Sequence, residues 1–224
     1  FGLTSFPRDT VENYMAAEVD KPFRSEASWL IPTHRDIYIV DVATGKRTLV
    51  KKNVRDNLSF SPNQKYAYWF DRSQGHWFAY ELATGNTINL SKSVKFPVYD
   101  EEYDTPDTPT EYPPVGWVSD SLFVFTDRFD VWAVNPAKPA KPIYVTKGEG
   151  RKNNIRYAVS RAGFTYENKL EGDLQNENWT LASFNETTKD EGFVSLNWQT
   201  GEMTTLVAPG GYSYDNTKRA KDAD

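Results

Sequence analysis

Ile37-Tyr38-Ile39-Val40-Asp41-Val42-Ala43-Thr44-Gly45, followed by Lys46-Arg47-Thr48-Leu49-Val50, is the stretch from which the fold follows. β-Branched and aromatic residues crowd its first half, an Ala-Thr-Gly turn interrupts it, and a second strand returns. A second copy runs Trp77-Phe78-Ala79-Tyr80-Glu81-Leu82-Ala83-Thr84-Gly85, then Asn86-Thr87-Ile88-Asn89-Leu90. Gly45 and Gly85 stand 40 residues apart, a period that suits a repeated unit of four short strands.

Two looser copies extend the series. Asp130-Val131-Trp132-Ala133-Val134 leads to Ile143-Tyr144-Val145-Thr146 across a Pro-Ala-Lys-Pro-Ala-Lys-Pro connection, and Phe193-Val194-Ser195-Leu196-Asn197-Trp198-Gln199-Thr200-Gly201 leads to Met203-Thr204-Thr205-Leu206-Val207. The spacing from Gly85 to Gly201 is 116 residues, room for two units that both carry insertions. The period and the all-strand reading predict an all-β fold: a partial β-propeller of about four blades, each a four-stranded antiparallel sheet. Blades occupy residues 31–212, preceded by a lead-in segment, 1–30, and followed by a charged tail, 213–224.

Within that frame the second unit is the most complete. Leu58-Ser59-Phe60 ends at Ser61-Pro62, Asn63-Gln64 turns, and Tyr66-Ala67-Tyr68-Trp69-Phe70 returns before strands 76–82 and 86–90. The third unit reuses the turn at Ser119-Asp120 between Gly116-Trp117-Val118 and Leu122-Phe123-Val124-Phe125, followed by strands 130–134 and 142–146. The fourth reads 155–159, 164–166, 179–184 and 192–197, with a polar insertion from Glu167 to Asn178. In the lead-in segment, Thr10 to Val19 between Pro7 and Pro22 reads as a short helix or as the remnant of an upstream blade. Trp69, Trp77, Trp117, Trp132, Trp179 and Trp198 fall on or beside strands and are expected to pack between blades.

Composition narrows the function. The net charge of −5 provides no basic excess to meet phosphate, so no nucleic-acid partner is expected; Lys46, Arg47, Lys51, Lys52 and Lys218, Arg219, Lys221 read as solvated faces. No cysteine is present, which removes disulfides, thiol catalysis and cysteine metal sites together. No run of about 18 apolar residues exists, and Phe1-Gly2-Leu3-Thr4-Ser5 is not a signal peptide, so no membrane partner is expected. The opening at Phe1 rather than Met reads as a processed chain or a piece of a longer one.

The most conspicuous interruption runs from Pro97 to Pro114, an acidic, aromatic, proline-rich loop holding Asp100-Glu101-Glu102, Asp104 and Asp107. It reads as a solvated acidic loop, as a carboxylate clamp for an ammonium group, or as a calcium site. For calcium it lacks the EF-hand spacing and its turn glycine, and no metal or other cofactor is expected. Gly148-Glu149-Gly150 lacks the third glycine of a dinucleotide fingerprint and reads as a turn. A carboxylate pair of glycosidase type stays open, because sequence gives no separations. Asn178-Trp179-Thr180 and Asn185-Glu186-Thr187 match the glycosylation acceptor pattern weakly.

Taken together, Ser61-Pro62-Asn63-Gln64-Lys65-Tyr66-Ala67-Tyr68-Trp69, the Asp100-Glu101-Glu102 loop, Asp130-Val131-Trp132, Gly148-Glu149-Gly150-Arg151-Lys152-Asn153 and Phe184-Asn185-Glu186-Thr187-Thr188-Lys189 resemble the propeller region of bacterial prolyl-oligopeptidase-family serine peptidases. The resemblance spans about residues 5 to 207. It implies a propeller facing an α/β-hydrolase domain, which carries a Ser-Asp-His triad with its Ser on a G-x-S-x-G elbow. This chain contains no G-x-S-x-G, and its two histidines, His34 and His76, follow no plausible nucleophile. The resemblance therefore implies a non-catalytic half that gates access to a hydrolase domain of the same parent chain. It also implies that Asp100, Glu101 and Glu102 hold the free amine of a peptide substrate, and that the parent resides in the periplasm or is secreted. The competing reading is a binding or scaffold module of TolB or WD40 type with no peptidase attached. Four blades leave bare strand edges, so the isolated chain is expected either to pair edge to edge as a homodimer or to cover an edge with residues 1–30.

Overall fold

Alternation of buried and exposed side chains along each apolar run, broken by turns that satisfy themselves, folds the chain into sheets whose strands follow one another in order. The structure, a computed structural model, describes residues 2–3, 13–112, 116–159 and 177–214. Those residues form four four-stranded antiparallel sheets. The first holds β1 (Gly2–Leu3), β2 (Tyr14–Val19), β3 (Arg35–Asp41) and β4 (Arg47–Val54); the second holds β5 (Ser59–Phe60), β6 (Tyr66–Asp71), β7 (His76–Glu81) and β8 (Thr87–Asn89). The third holds β9 (Gly116–Val118), β10 (Leu122–Thr126), β11 (Val131–Val134) and β12 (Ile143–Tyr144); the fourth holds β13 (Ile155–Val159), β14 (Asn178–Asn185), β15 (Glu191–Asn197) and β16 (Met203–Gly210). Each sheet is an up-and-down meander, the blade of a partial β-propeller.

The chain divides into two units, Phe1–Asn89 and Leu90–Asp224, with two blades in each. In the first, Ala16, Ile37 and Ile39 of one sheet meet Ala67 and Trp69 of the next, with Val54 and Leu58 at the crossing. In the second, Val124, Val131 and Ala133 of the third sheet meet Tyr157, Trp179, Leu181 and Leu196 of the fourth. Trp69, Trp77, Trp117, Trp132 and Trp179 are buried, and Trp198 stacks on Trp179 with ring centroids 5.5 Å apart. These indoles belong to the packing between and within sheets.

The recurring turn has a physical explanation. Asp41 Oδ1 accepts the backbone N–H and the hydroxyl of Thr44, both at 2.8 Å, while Gly45 N–H returns to the Asp41 carbonyl. The residue closing the loop must enter the left-handed region, and Gly45 (φ 68°) does so without strain. The same bond from the fifth residue to the first recurs at Glu81/Gly85, Asn197/Gly201, Asp71/Gly75 and Asn185/Lys189. In the last case Lys189 takes φ 66° and Asn185 Oδ1 accepts the N–H groups of Thr187 and Thr188. The Ala-Thr-Gly phrase is thus one spelling of a turn the chain uses five times among the described residues.

Several expectations change. Tyr14–Val19 is a strand and not part of a helix, because Ala16 and Ala17 find burial opposite Ile39 and Tyr38 in a six-residue ladder with β3. Tertiary pairing overrides helix propensity here. The helical segment is instead a 3₁₀ stretch, Lys21–Ser28. In the fourth sheet β13 pairs directly with β14, and Met203–Gly210 supplies the fourth strand; the expected strand 164–166 lies outside the described residues. Gly148-Glu149-Gly150 opens a short helix, α1 (Glu149–Asn153), not a plain turn. At the start of the expected tail, Tyr214 N–H bonds Glu191 at 2.9 Å and its ring meets Phe193 edge-on, while residues 215–224 lie outside the described residues.

Candidate functional site

The site begins at the tight hairpin Asp127-Arg128-Phe129-Asp130 between β10 and β11. Asp127 Oδ1 accepts the N–H groups of Phe129 (2.7 Å) and Asp130 (2.9 Å), and Oδ2 accepts the Trp132 indole N–H (2.9 Å). Burial pushes the Asp127 carboxyl upward, against these hydrogen bonds and the nearby Arg151 guanidinium, whose Nη2 lies 3.5 Å away. The Arg151 guanidinium in turn lies over the Phe96 ring, 3.8 Å from its centroid. Asp130 is fully buried and accepts four donors: Thr146 Oγ1 (2.6 Å), Gly150 N–H (3.0 Å), Tyr144 OH (2.9 Å) and Arg151 N–H (3.1 Å). Two carboxylates thereby set the hairpin and fasten α1 to it.

Fixing the hairpin aims Arg128. Its Nε and Nη2 donate to Glu186 Oε1 (3.2 Å) and Oε2 (2.7 Å), a two-point contact with the turn that follows β14. The hydrogen-bonded Glu186 carboxylate holds the guanidinium above its ordinary value. Nη2 also reaches Glu102 Oε1 at 2.7 Å, so one arginine fastens the acidic loop to the fourth blade. Arg156 on β13 completes the group, with Nε 3.4 Å from Glu186 Oε1 and its guanidinium 4.7 Å from the Phe184 ring centroid.

Beside these charges lies a cavity of about 490 Å³ whose walls include Tyr112, Arg128, Arg156, Phe184, Glu191 and Phe193. Ala158 and Ala182 face each other across β13 and β14, and their small side chains leave the space open. The Tyr112 hydroxyl accepts Glu101 N–H at 2.8 Å; burial pushes its pKa up to about 12, so it keeps its proton and stays a donor.

The acidic triplet does not converge on one point. Asp100 Oδ1 accepts Glu102 N–H (3.0 Å) inside its own loop, which is clasped by a Tyr99–Glu111 bridge and an Asp100 N–H bond to the Thr110 carbonyl. Glu101 is exposed, and Glu102 turns toward Arg128. His34 Nδ1 lies 2.7 Å from Glu26 Oε2, and His76 opens β7 opposite Asp71. Arg128, Arg156, Glu186 and Glu191 escaped the sequence reading as site residues. Glu186 sat inside a phrase already singled out, but only strand register shows which residues of separate strands share a row. Among the described residues no group of three or more His, Asp or Glu side chains is placed to hold a metal ion.

No protein-family model matches the chain, and no curated protein does. Among solved structures it is similar to TolB from Acinetobacter baumannii (14% identity, 78% of this chain and 38% of that one, TM-score 0.43). It is also similar to Porphyromonas gingivalis dipeptidyl peptidase 4 (12% identity, 87% and 31%, TM-score 0.48). A third similar structure is the acylaminoacyl peptidase of Pyrococcus horikoshii (14% identity, 93% and 33%, TM-score 0.48). The chain thus spans between 31% and 38% of the length of these solved chains.

Proposed function

We propose that this chain is the non-catalytic propeller segment of a serine peptidase, screening access to a separate α/β-hydrolase domain and holding one end of a peptide substrate. The observation that carries this reading is the Glu102–Arg128–Glu186 bridge, which straps the acidic loop beside the cavity of the fourth blade. A strap held at 2.7 Å on both sides leaves Glu101 exposed beside a partly exposed Asp100, where a peptide ammonium would gain charge-assisted hydrogen bonds. Arg128 is shared between Glu102 of the loop and Glu186, so a second cation beside Glu101 adds an attraction that Arg128 does not supply there.

The test is direct. An alanine hexapeptide with a free amine should bind this chain more tightly than its N-acetyl form, and Glu101→Gln together with Glu102→Gln should weaken only the free-amine form, by about five- to tenfold. Equal binding of the two peptides removes the loop from the reading. The peptidase parentage is tested separately by the coding sequence beyond Asp224: a G-x-S-x-G followed by Asp and His supports it, and a stop codon leaves the TolB-type binding module.

A further inference from the structure

One row of the fourth sheet carries a charge pattern the acidic loop does not explain. Arg156 pairs with Phe184, and Phe184 pairs with Glu191, in consecutive antiparallel register. Cross-strand partners share a face, so a cation, an aromatic ring and a carboxylate stand side by side in the cavity wall. The next row is Ala158, Ala182 and Phe193, two small residues and a ring. Both rows lie opposite the face where Tyr157, Val159 and Leu181 enter the core.

The two charges are incompletely used. Arg156 pairs through Nε with Glu186 and lies over the Phe184 ring, and neither Nη nitrogen has a hydrogen-bond acceptor among the described residues. Glu191 accepts Tyr214 N–H and the Ser213 hydroxyl, but no cation pairs with it among the described residues. By contrast, Glu102 and Glu186 already share Arg128.

We infer that this row is a binding site for a short peptide with both ends free, its carboxylate on the Arg156 Nη pair and its ammonium on Glu191. The two anchoring strands are separated by one intervening strand, so their backbones stand roughly 10 Å apart. An extended tripeptide spans about 9–10 Å from ammonium to carboxylate, which matches that width. Its chain passes beside Phe184, whose ring carries the Arg156 guanidinium at 4.7 Å and Lys189 Nζ at 5.7 Å, and a side chain fits over Ala158 and Ala182 in the cavity wall. A planar guanidinium suits a carboxylate better than it suits a carbonyl. This site goes beyond the proposed role of the acidic loop and does not depend on it.

Calorimetric titration of the chain with trialanine, N-acetyl-trialanine and trialanine amide tests the assignment. Free trialanine should bind at least tenfold more tightly than either blocked form. Arg156→Gln should abolish the preference for the free carboxylate while leaving the preference for the free amine, and Glu191→Gln should do the converse. Arg156→Lys should retain part of the carboxylate preference, and unchanged far-ultraviolet circular dichroism of each variant confirms that the sheet persists. Equal binding of the three peptides, no binding of any, or loss of both preferences in each single variant with the sheet intact overturns the inference. Retained hexapeptide binding alongside indifferent trialanine ends would overturn this site alone and leave the loop's proposed role standing.

Discussion

The two units spend their polar side chains in opposite ways. In the first, Gln64 sits buried at φ 53° and closes backbone groups of the neighbouring sheet: its Oε1 accepts Asn13 and Tyr14 N–H at 3.0 and 3.1 Å, and its Nε2 donates to the Tyr14 carbonyl at 3.0 Å. Lys51 of the first sheet meets Asp71 of the second at 3.0 Å. These contacts clip one blade to another and end there. In the second unit, Asp127 and Asp130 do the clipping, and the hairpin they fix carries an arginine outward to a cavity. The difference teaches that a regular repeat builds scaffold, and that departures from the repeat, the loop over 97–112 and the Asp127–Asp130 hairpin, build the candidate site.

The strongest way to break this comparison is Asp130→Ala. It strands four donors around a fully buried position, and breaking such a buried charged network costs about 3–5 kcal/mol. Chemical denaturation should show that loss; a cost below about 1 kcal/mol would mean that the hairpin is held by apolar packing instead. Gln64→Ala in the first unit should cost less, about 1–2 kcal/mol, because three neutral hydrogen bonds to backbone groups are lost. A larger cost than that of Asp130→Ala would reverse the contrast between the units.

The smallest effect, and the one that sharpens the contrast most, is on pH. At Asp71 burial pushes the carboxyl up, but hydrogen bonds from Ser73, Lys51 and Gln74 outweigh it and the net direction is down. Its stabilisation is therefore complete above the unfolded value, about 3.9, and is lost as pH falls through the folded value. Asp127 shifts the other way, so the folded state binds its proton first. Lowering the pH from its folded value toward about 3.9 then favours folding at that position. Denaturation measured from pH 7 to pH 3 should show the gap between the parent chain and Asp71→Asn closing at the acid end. The gap between the parent and Asp127→Asn should move in the parent's favour as the pH drops toward about 4. Parallel curves would show that neither carboxyl titrates differently in the folded chain.

The blades were legible because their information is local. Strands at Ile37, Tyr66, Trp77 and Leu122 announce themselves by β-branched and aromatic runs between turns, and the turn at Asp41–Gly45 is written in five consecutive residues. Tyr14–Val19 misled because Met15-Ala16-Ala17-Glu18 has helical propensity, and only the ladder to β3 makes it a strand. The candidate site was legible by half. The acidic loop stands out by composition, whereas Arg128 meets Glu186 across 58 residues of sequence, a distance over which no local signal operates. Arg156, Phe184 and Glu191 become a row only after the register of three strands is set.

Every sheet is also complete within one contiguous run of chain; among the described residues no strand crosses into another sheet. Each blade can consequently zip up from its own hairpins as it leaves the ribosome, long before the next is synthesised. Biogenesis would then be vectorial, with the strands of the first unit already paired while the hairpin that aims Arg128 is still being translated.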